Sequence, residues 1–347
     1  MNNPMSNTIT YGFGVDRLKL LLMPLVCVLS FGIPWMVGGI VRDLCRAAPL
    51  AFYILCGFFV LTEDEGERHR KLHRAIRSTG IFFLVLTLFY LGLNALIFSL
   101  QGVDWIGSIL TKRVLFNFVV LCIWPFQTGE CLWFIHSLFY AWVLLMLLDL
   151  RRHLPSLILP LFLITALLML FLGEFAGLIR LNFLGYTYIP ANAVTRALPY
   201  LLLGALLRRH SERLFLTNPM IWGGLVALGI VLAVSETLLL SYTGKLVYTG
   251  HTIGYGVMAI ALCCIALVHP EEELGSMFRH ARCLSRWIYA FHQPVGFFLP
   301  LLLSPFGEKA SSVVLSFGGI AVFVCTLLPA VLVGVCEYGF RRVVDIL

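Results

Sequence analysis

Three ionisable side chains, His136, Glu236 and His292, stand inside long apolar runs of this chain, and their residue types are the ones that move protons. A titratable group in hydrocarbon is costly, so each is expected to face a partner or a polar cavity. A histidine beside a carboxylate can work as a general base, because the carboxylate orients the ring and stabilises its protonated form. Counting 1.5 Å per residue puts His136 ~6 Å below the outer surface and Glu236 ~25 Å up from the inner one, a shared level that also holds Arg46, Arg196 and His251. We therefore expect His136 and Glu236 to form a catalytic pair lining a cavity open to the outside, with Arg46 and Arg196 binding an acceptor or solute there. In the plainer alternative they only fix helix packing, His136 against Trp133 or Tyr140 one turn away. His292 counts to ~8 Å above the cytosolic surface, and Ser30, the polar position in the first apolar run, to mid-membrane ~15 Å beyond Leu20. Both are further catalytic candidates, although the count sets them at different depths.

A second cluster lies between apolar runs: Glu63, Asp64, Glu65 and Glu67, then Arg68, Arg70, Lys71, Arg74 and Arg77. Charges three and four apart suit a solvated helix extension. Clustered arginines also grip phosphates through paired hydrogen bonds, so Arg68, Arg70 and Arg74 are candidate ligands for an anion such as coenzyme A. Other chemistries have no residues to carry them. No GxGxxG, Walker loop, GxSxG elbow or His and Cys cluster at metal spacing is present, and no metal is expected. The ten cysteines form no CxxC pair and mostly sit in apolar runs, as small buried hydrophobes do. The formal charge of +7 is spread in short clusters between apolar runs, without the basic stripe of a nucleic-acid binder.

The elements that must position these groups are membrane helices. Of the 347 residues 60% are hydrophobic and 12% charged, against about 25% charged in a soluble domain. Apolar runs fall at about 20–41, 47–62, 79–100, 132–148, 155–173, 190–207, 218–240, 250–268, 287–303 and 311–340. A hydrocarbon core of ~30 Å needs roughly 20 helical residues, so these are ten candidate spans, the second one short. Residues 105–126 form a further patch, interrupted by Lys112, Arg113 and Pro125, that reads as interfacial or re-entrant. Placing both termini in the cytosol puts 17 of the 25 lysines and arginines inside, as the positive-inside rule requires. The expected fold is an all-α polytopic membrane protein, a bundle of about ten transmembrane helices forming one domain over 15–347, with a disordered tail over 1–14. The first run exceeds a signal-peptide core and ends in Val-Arg-Asp rather than a small-residue cleavage site, so it is expected to stay attached.

Four stretches in order, VDRLKLLLMPLVCVLS at 15–30, RDLCRAAPLAFYILCGFFV at 42–60, TRALPYLLLGALL at 195–207 and LSRWIYAFHQPV at 284–295, resemble the acyltransferase family 3 membrane proteins. GECLWFIHSLFYAW at 129–142 is similar to that family's fourth-span pattern. The likeness is strongest to the branch that includes the membrane domain of the vancomycin-resistance serine racemase. The resemblance implies transfer of an acyl group, commonly acetyl from acetyl coenzyme A, to a cell-envelope sugar or similar acceptor at a bacterial inner membrane. It implies that Lys19 is the family's first-span basic residue and belongs with the donor-binding set, eleven positions before a catalytic histidine. Ser30 occupies that histidine's place. Cys56 stands for the usual serine before Gly57, Arg68-His69-Arg70 for an Arg-x-Arg, Arg196 for the arginine before the sixth span, and His292 for the ninth-span histidine. Serine cannot take an acceptor's proton unaided, because its own hydroxyl needs an adjacent base. Three readings stay open: an acyltransferase with another base, a transporter or sensor for a small polar solute such as an amino acid, and a catalytically silent member.

Overall fold

The computed structural model describes residues 12–34, 38–102, 104, 106–107, 111–125, 127–150, 153–179, 192–215, 217–245, 253–268 and 281–344. Among the described residues every regular element is helical. The α-helices are α1 (Gly12–Phe31), α2 (Gly38–Leu44), α3 (Ala47–Val60), α4 (Glu65–Gln101), α5 (Lys112–Leu121), α6 (Leu132–Leu150), α7 (Leu154–Met169) and α8 (Ala176–Ile179). They continue as α9 (Leu198–Arg209), α10 (Ser211–Phe215), α11 (Pro219–Tyr242), α12 (Ile253–Val268), α13 (Ala281–Leu303), α14 (Glu308–Leu315) and α15 (Gly319–Val344). A π-helical turn, Ala193–Ala197, leads into α9.

Six helical segments are long and apolar enough to cross a membrane: Gly38–Val60, which joins α2 to α3, then α4, α6, Leu154–Gly173 around α7, α11, and Gly319–Glu337 in α15. The chain is a multi-pass membrane protein. In α4, α7 and α11 only 17% of the most apolar window is buried. Their exposed residues include Leu84, Leu88, Leu163 and Leu238, and lipid tails solvate such side chains as well as a protein core does. Gly38–Val60 is 61% buried, which makes α3 the centre of the bundle, packed against α1, α9 and α12. Glycine permits the closest of these contacts. A Cβ on Gly57 would lie 2.0 Å from the Leu201 carbonyl oxygen, and one on Gly204 2.1 Å from that of Ile54, so the α3 and α9 backbones touch.

The first apolar run is broken where a single span is expected. Gly32 takes φ +67, a left-handed conformation open to glycine, and Pro34 follows it, so α1 ends at Phe31 rather than running to Val41. The freed carbonyls find new donors. Gly319 N–H bonds Gly32 O at 2.7 Å, and Arg42 Nε bonds Leu29 O at 3.0 Å. The other half of the run becomes α2, which turns through Cys45 and Arg46 into α3 and lengthens the short second run into a 23-residue span. At the other end α1 begins at Gly12, so residues 12–14, expected in the tail, are helical; residues 1–11 and His251 lie outside the described residues. Residues 65–78 of the charged segment are the first part of α4, with the Asp64 carboxylate just before it accepting from Glu67 N–H at 2.6 Å as its cap. One 37-residue helix therefore carries both the arginine cluster and a span. The 105–126 patch contributes α5, whose ten residues are too few to cross.

Candidate functional site

Where α1 stops, its last turn faces α13. Ser30 Oγ lies 3.3 Å from His292 Nε2. His292 Nδ1 lies 2.7 Å from the carbonyl of Tyr289, one turn earlier on the same helix. A carbonyl only accepts, so Nδ1 carries the proton and a neutral ring presents its Nε2 lone pair to the serine. The Ser30 hydroxyl also reaches Val26 O at 3.1 Å, so its proton has two resting places. Compared with a Ser-His-Asp triad, the orienting third group is a carbonyl rather than a carboxylate; it fixes the tautomer without adding a charge.

The backbone around His292 is held from outside α13. Pro294 has no N–H to give to the carbonyl four residues back, that of Ala290. Tyr90 Oη from α4 donates to Ala290 O at 2.9 Å instead. Tyr289 Oη bonds the Cys131 carbonyl. His292 is fully buried, and these contacts tie its part of α13 to α4 and to the residue before α6.

Ser30 and His292 line a cavity of about 340 Å³ together with Arg42, Arg46, Glu130, Trp133, Arg196 and Gln293. Arg46 Nε bonds Asp43 Oδ1 at 3.1 Å. Arg196 is buried with its guanidinium 4.8 Å from the centre of the Trp133 ring, a cation–π distance. It is placed by the π-helical turn, whose first amides at Val194 and Thr195 are capped by the Asn192 side chain at 2.8 and 3.0 Å. At the rim, desolvation raises the Glu130 carboxyl above its ordinary pKa, and the Arg42 guanidinium opposes that shift. Cys131 also lines the cavity, but burial pushes its thiol up to about 12, so it stays protonated and inert. Ser30 is thus the lining hydroxyl with a base beside it.

The structure brings Ser30, His292, Arg46 and Arg196 together and leaves the other expected pair apart. His136 is buried in an aromatic box, its ring centre 4.6 Å from that of Phe83, 4.8 Å from Phe118 and 4.5 Å from Tyr140. Glu236 instead accepts from Gly254 N–H at 3.1 Å, closing the first turn of α12 as an acidic group at a helix start does. No hydrogen bond or ion pair joins His136 to Glu236 among the described residues. Depth counting gave them one level, but depth says nothing about which faces of two helices meet. The same counting set Ser30 and His292 roughly 8 Å apart. It took the first span as unbroken to Val41 and started the ninth at 287, whereas α1 ends at Phe31 and α13 begins at Ala281.

The donor-binding candidates also divide. Arg68 is buried, with Nε on Asp149 Oδ1 at 2.6 Å and Nη1 on the carbonyls of Thr62 and Glu63 at 3.2 and 3.0 Å. It is a structural tie between α4 and α6. Arg70 and Arg74 are exposed and line a shallow concavity of about 460 Å³ with His69, His73 and Arg77. Lys19 pairs with Asp16 at 3.2 Å. Sequence reasoning passed over Arg42, Glu130 and Tyr289. The first two sit at the ends of apolar runs, where charge reads as topology, while Tyr289 stands three residues before His292 on one helix face. No group of three or more His, Cys, Asp or Glu able to hold a metal occurs among the described residues.

These features define a helical, multi-pass membrane protein with a serine–histidine pair on an arginine-lined cavity. No protein family, curated protein or solved structure matches the chain.

Proposed function

We propose that this chain is a membrane acyltransferase that moves an acyl group, acetyl being the natural case, from coenzyme A on the cytosolic side to a hydroxyl of a cell-envelope sugar or similar acceptor. One observation carries the reading: Ser30, standing where a catalytic histidine is expected, has His292 Nε2 at 3.3 Å on the wall of the arginine-lined cavity. A serine with an adjacent base is an activated nucleophile.

In the reaction we propose, His292 Nε2 takes the Ser30 proton as Oγ attacks the thioester carbonyl. The C–S bond breaks and the leaving thiolate takes that proton from the imidazolium. The acceptor hydroxyl then gives its proton to Nε2 while its oxygen attacks the Ser30 ester, and Oγ leaves with the proton. A general base of this kind contributes ~10² to 10⁴ in rate. Arg70 and Arg74 receive the donor's phosphates. Lys19, eleven residues and ~16 Å from Ser30 along α1, stands on the donor's route.

The same reading includes ten crossings, adding α1, α9, α12 and α13 to the six long spans, with both termini in the cytosol of a bacterial inner membrane. It is supported by the 17 of 25 basic residues that this topology places inside. Purified protein given acetyl coenzyme A labelled in the acetyl carbon is expected to retain label on Ser30 after acid quench, and Ser30→Ala and His292→Ala are expected to lose it. Full transfer by Ser30→Ala would overturn the assignment.

A further inference from the structure

We infer that Arg42, Arg46 and Arg196 form an anion subsite, so that the molecule bound in the cavity is a hydroxyl-bearing anion, its carboxylate or phosphate held by guanidinium groups while its hydroxyl lies at Ser30 and His292. The word acceptor for that molecule rests on the acyltransferase reading; the subsite does not.

Three guanidinium groups line one cavity of about 340 Å³, and Glu130 is the carboxylate that lines it with them. A second carboxylate, Asp43, pairs with Arg46 at Nε from outside that lining. Arg42 is likewise anchored through Nε, on the Leu29 carbonyl, at the stop of α1 that also fixes Ser30. Both side chains are oriented at Nε, and no hydrogen bond engages the terminal amino groups of either among the described residues. Arg196 is 3% exposed and lies over Trp133, so its charge stands in a poorly solvated place. Arg42 is exposed and Arg46 half-buried, so the three charges run from solvent into the cavity; like charges along one wall repel, and an anion with several lone pairs relieves the repulsion while using fixed donors. Glu130 is exposed at the rim, where it can neutralise at most one of the three guanidinium groups. The volume lies at the small end of ligand pockets, enough for a single sugar or smaller molecule. A neutral polyol would make no charge-assisted hydrogen bond to Arg42 or Arg46, so the cavity favours an anion over it.

The test is binding to the full chain in neutral phosphatidylcholine nanodiscs, which removes anionic lipid as a source of the anion. Calorimetry with glucuronate, glucose 6-phosphate and glucose compares a carboxylate, a phosphate and a neutral ring of one size. We expect one or both anions to bind at least about tenfold more tightly than glucose, since charge-assisted hydrogen bonds are roughly twice as strong as neutral ones. Arg42→Gln and Arg46→Gln are expected to cut the anion's affinity by about tenfold or more and leave glucose unchanged. Neither anion exceeding glucose, or both variants binding the anion as the parent does, would overturn the subsite. Ser30→Ala separates the two claims, since it should keep anion binding while losing transfer. Transfer to a neutral sugar without anion binding refutes the subsite alone, and anion binding without transfer in the parent refutes the reaction alone.

Discussion

Ser30 and Arg68 show how differently two polar residues can be used in one bundle. Ser30 has a proton to lose and an acceptor for it at His292, so its removal should be felt in chemistry. Ser30→Ala is expected to lower transfer by two to four orders of magnitude with little change in melting temperature. Transfer within threefold of the parent would refute this. Arg68 belongs to the opposite kind. It is 2% exposed, and its partner Asp149 is 3% exposed, so each neutralises a charge that could not otherwise be buried. Arg68→Ala leaves the buried Asp149 with only His69, whose Nδ1 lies 3.4 Å from Oδ2, and is expected to cost about 3 to 5 kcal/mol in unfolding from detergent, the double variant with Asp149→Ala costing less. Reversing Arg70 and Arg74 to Glu should instead weaken coenzyme A binding without moving the melting temperature, because both are exposed. A loss of stability there, with donor affinity intact, would make them structural too.

Hydropathy made the apolar stretches legible as helices, and each of the six long spans overlaps one or two of them. What it concealed was where a helix stops inside an apolar stretch. Gly32 and Pro34 are visible in the sequence, yet the run continues apolar to Val41, and hydrocarbon length outweighed the breakers in the reading. That one break moved Ser30 from mid-span to a helix end, beside Arg42. Helix rotation was equally hidden, and it decides that His136 meets Phe83, Phe118 and Tyr140 rather than Glu236. Close backbone packing leaves a sharper trace. Gly57 and Gly204 are at the α3–α9 crossing, where a methyl group would fall 2.0 and 2.1 Å from carbonyl oxygens. Gly57→Ala or Gly204→Ala is expected to cost about 1 to 3 kcal/mol in thermal unfolding as the helices part. Gly223→Ala, with open space around it, should be neutral or slightly stabilising. Equal effects at all three would mean the crossing is loose.

For the whole molecule, orientation is the claim most open to a direct check. Residues 74 and 104 flank the apolar part of α4, and about 40 Å of helix from Arg74 to Gln101 exceeds the ~30 Å hydrocarbon core. Native Cys45 and Cys131 are buried, so introduced cysteines are the better reporters. An impermeant maleimide added to intact cells is expected to label Asp104→Cys, and to reach Arg74→Cys only after permeabilisation. The reverse pattern would invert the topology and put the arginine concavity outside.

The length of α4 has a mechanical side. Arg70 and Tyr90 are twenty residues apart, ~30 Å on one uninterrupted helix. At its far end Tyr90 grips the Ala290 carbonyl that Pro294 leaves open, two residues from His292. No loop intervenes to absorb a displacement, so a push at the basic end of α4 would be passed along the helix to the backbone that aims the imidazole. Tyr90→Phe keeps the ring and cuts the coupling. It should leave coenzyme A affinity intact while slowing turnover, and unchanged turnover would show that the helix carries no load. Loading at one face and aiming at the other then become one movement of a single rigid part.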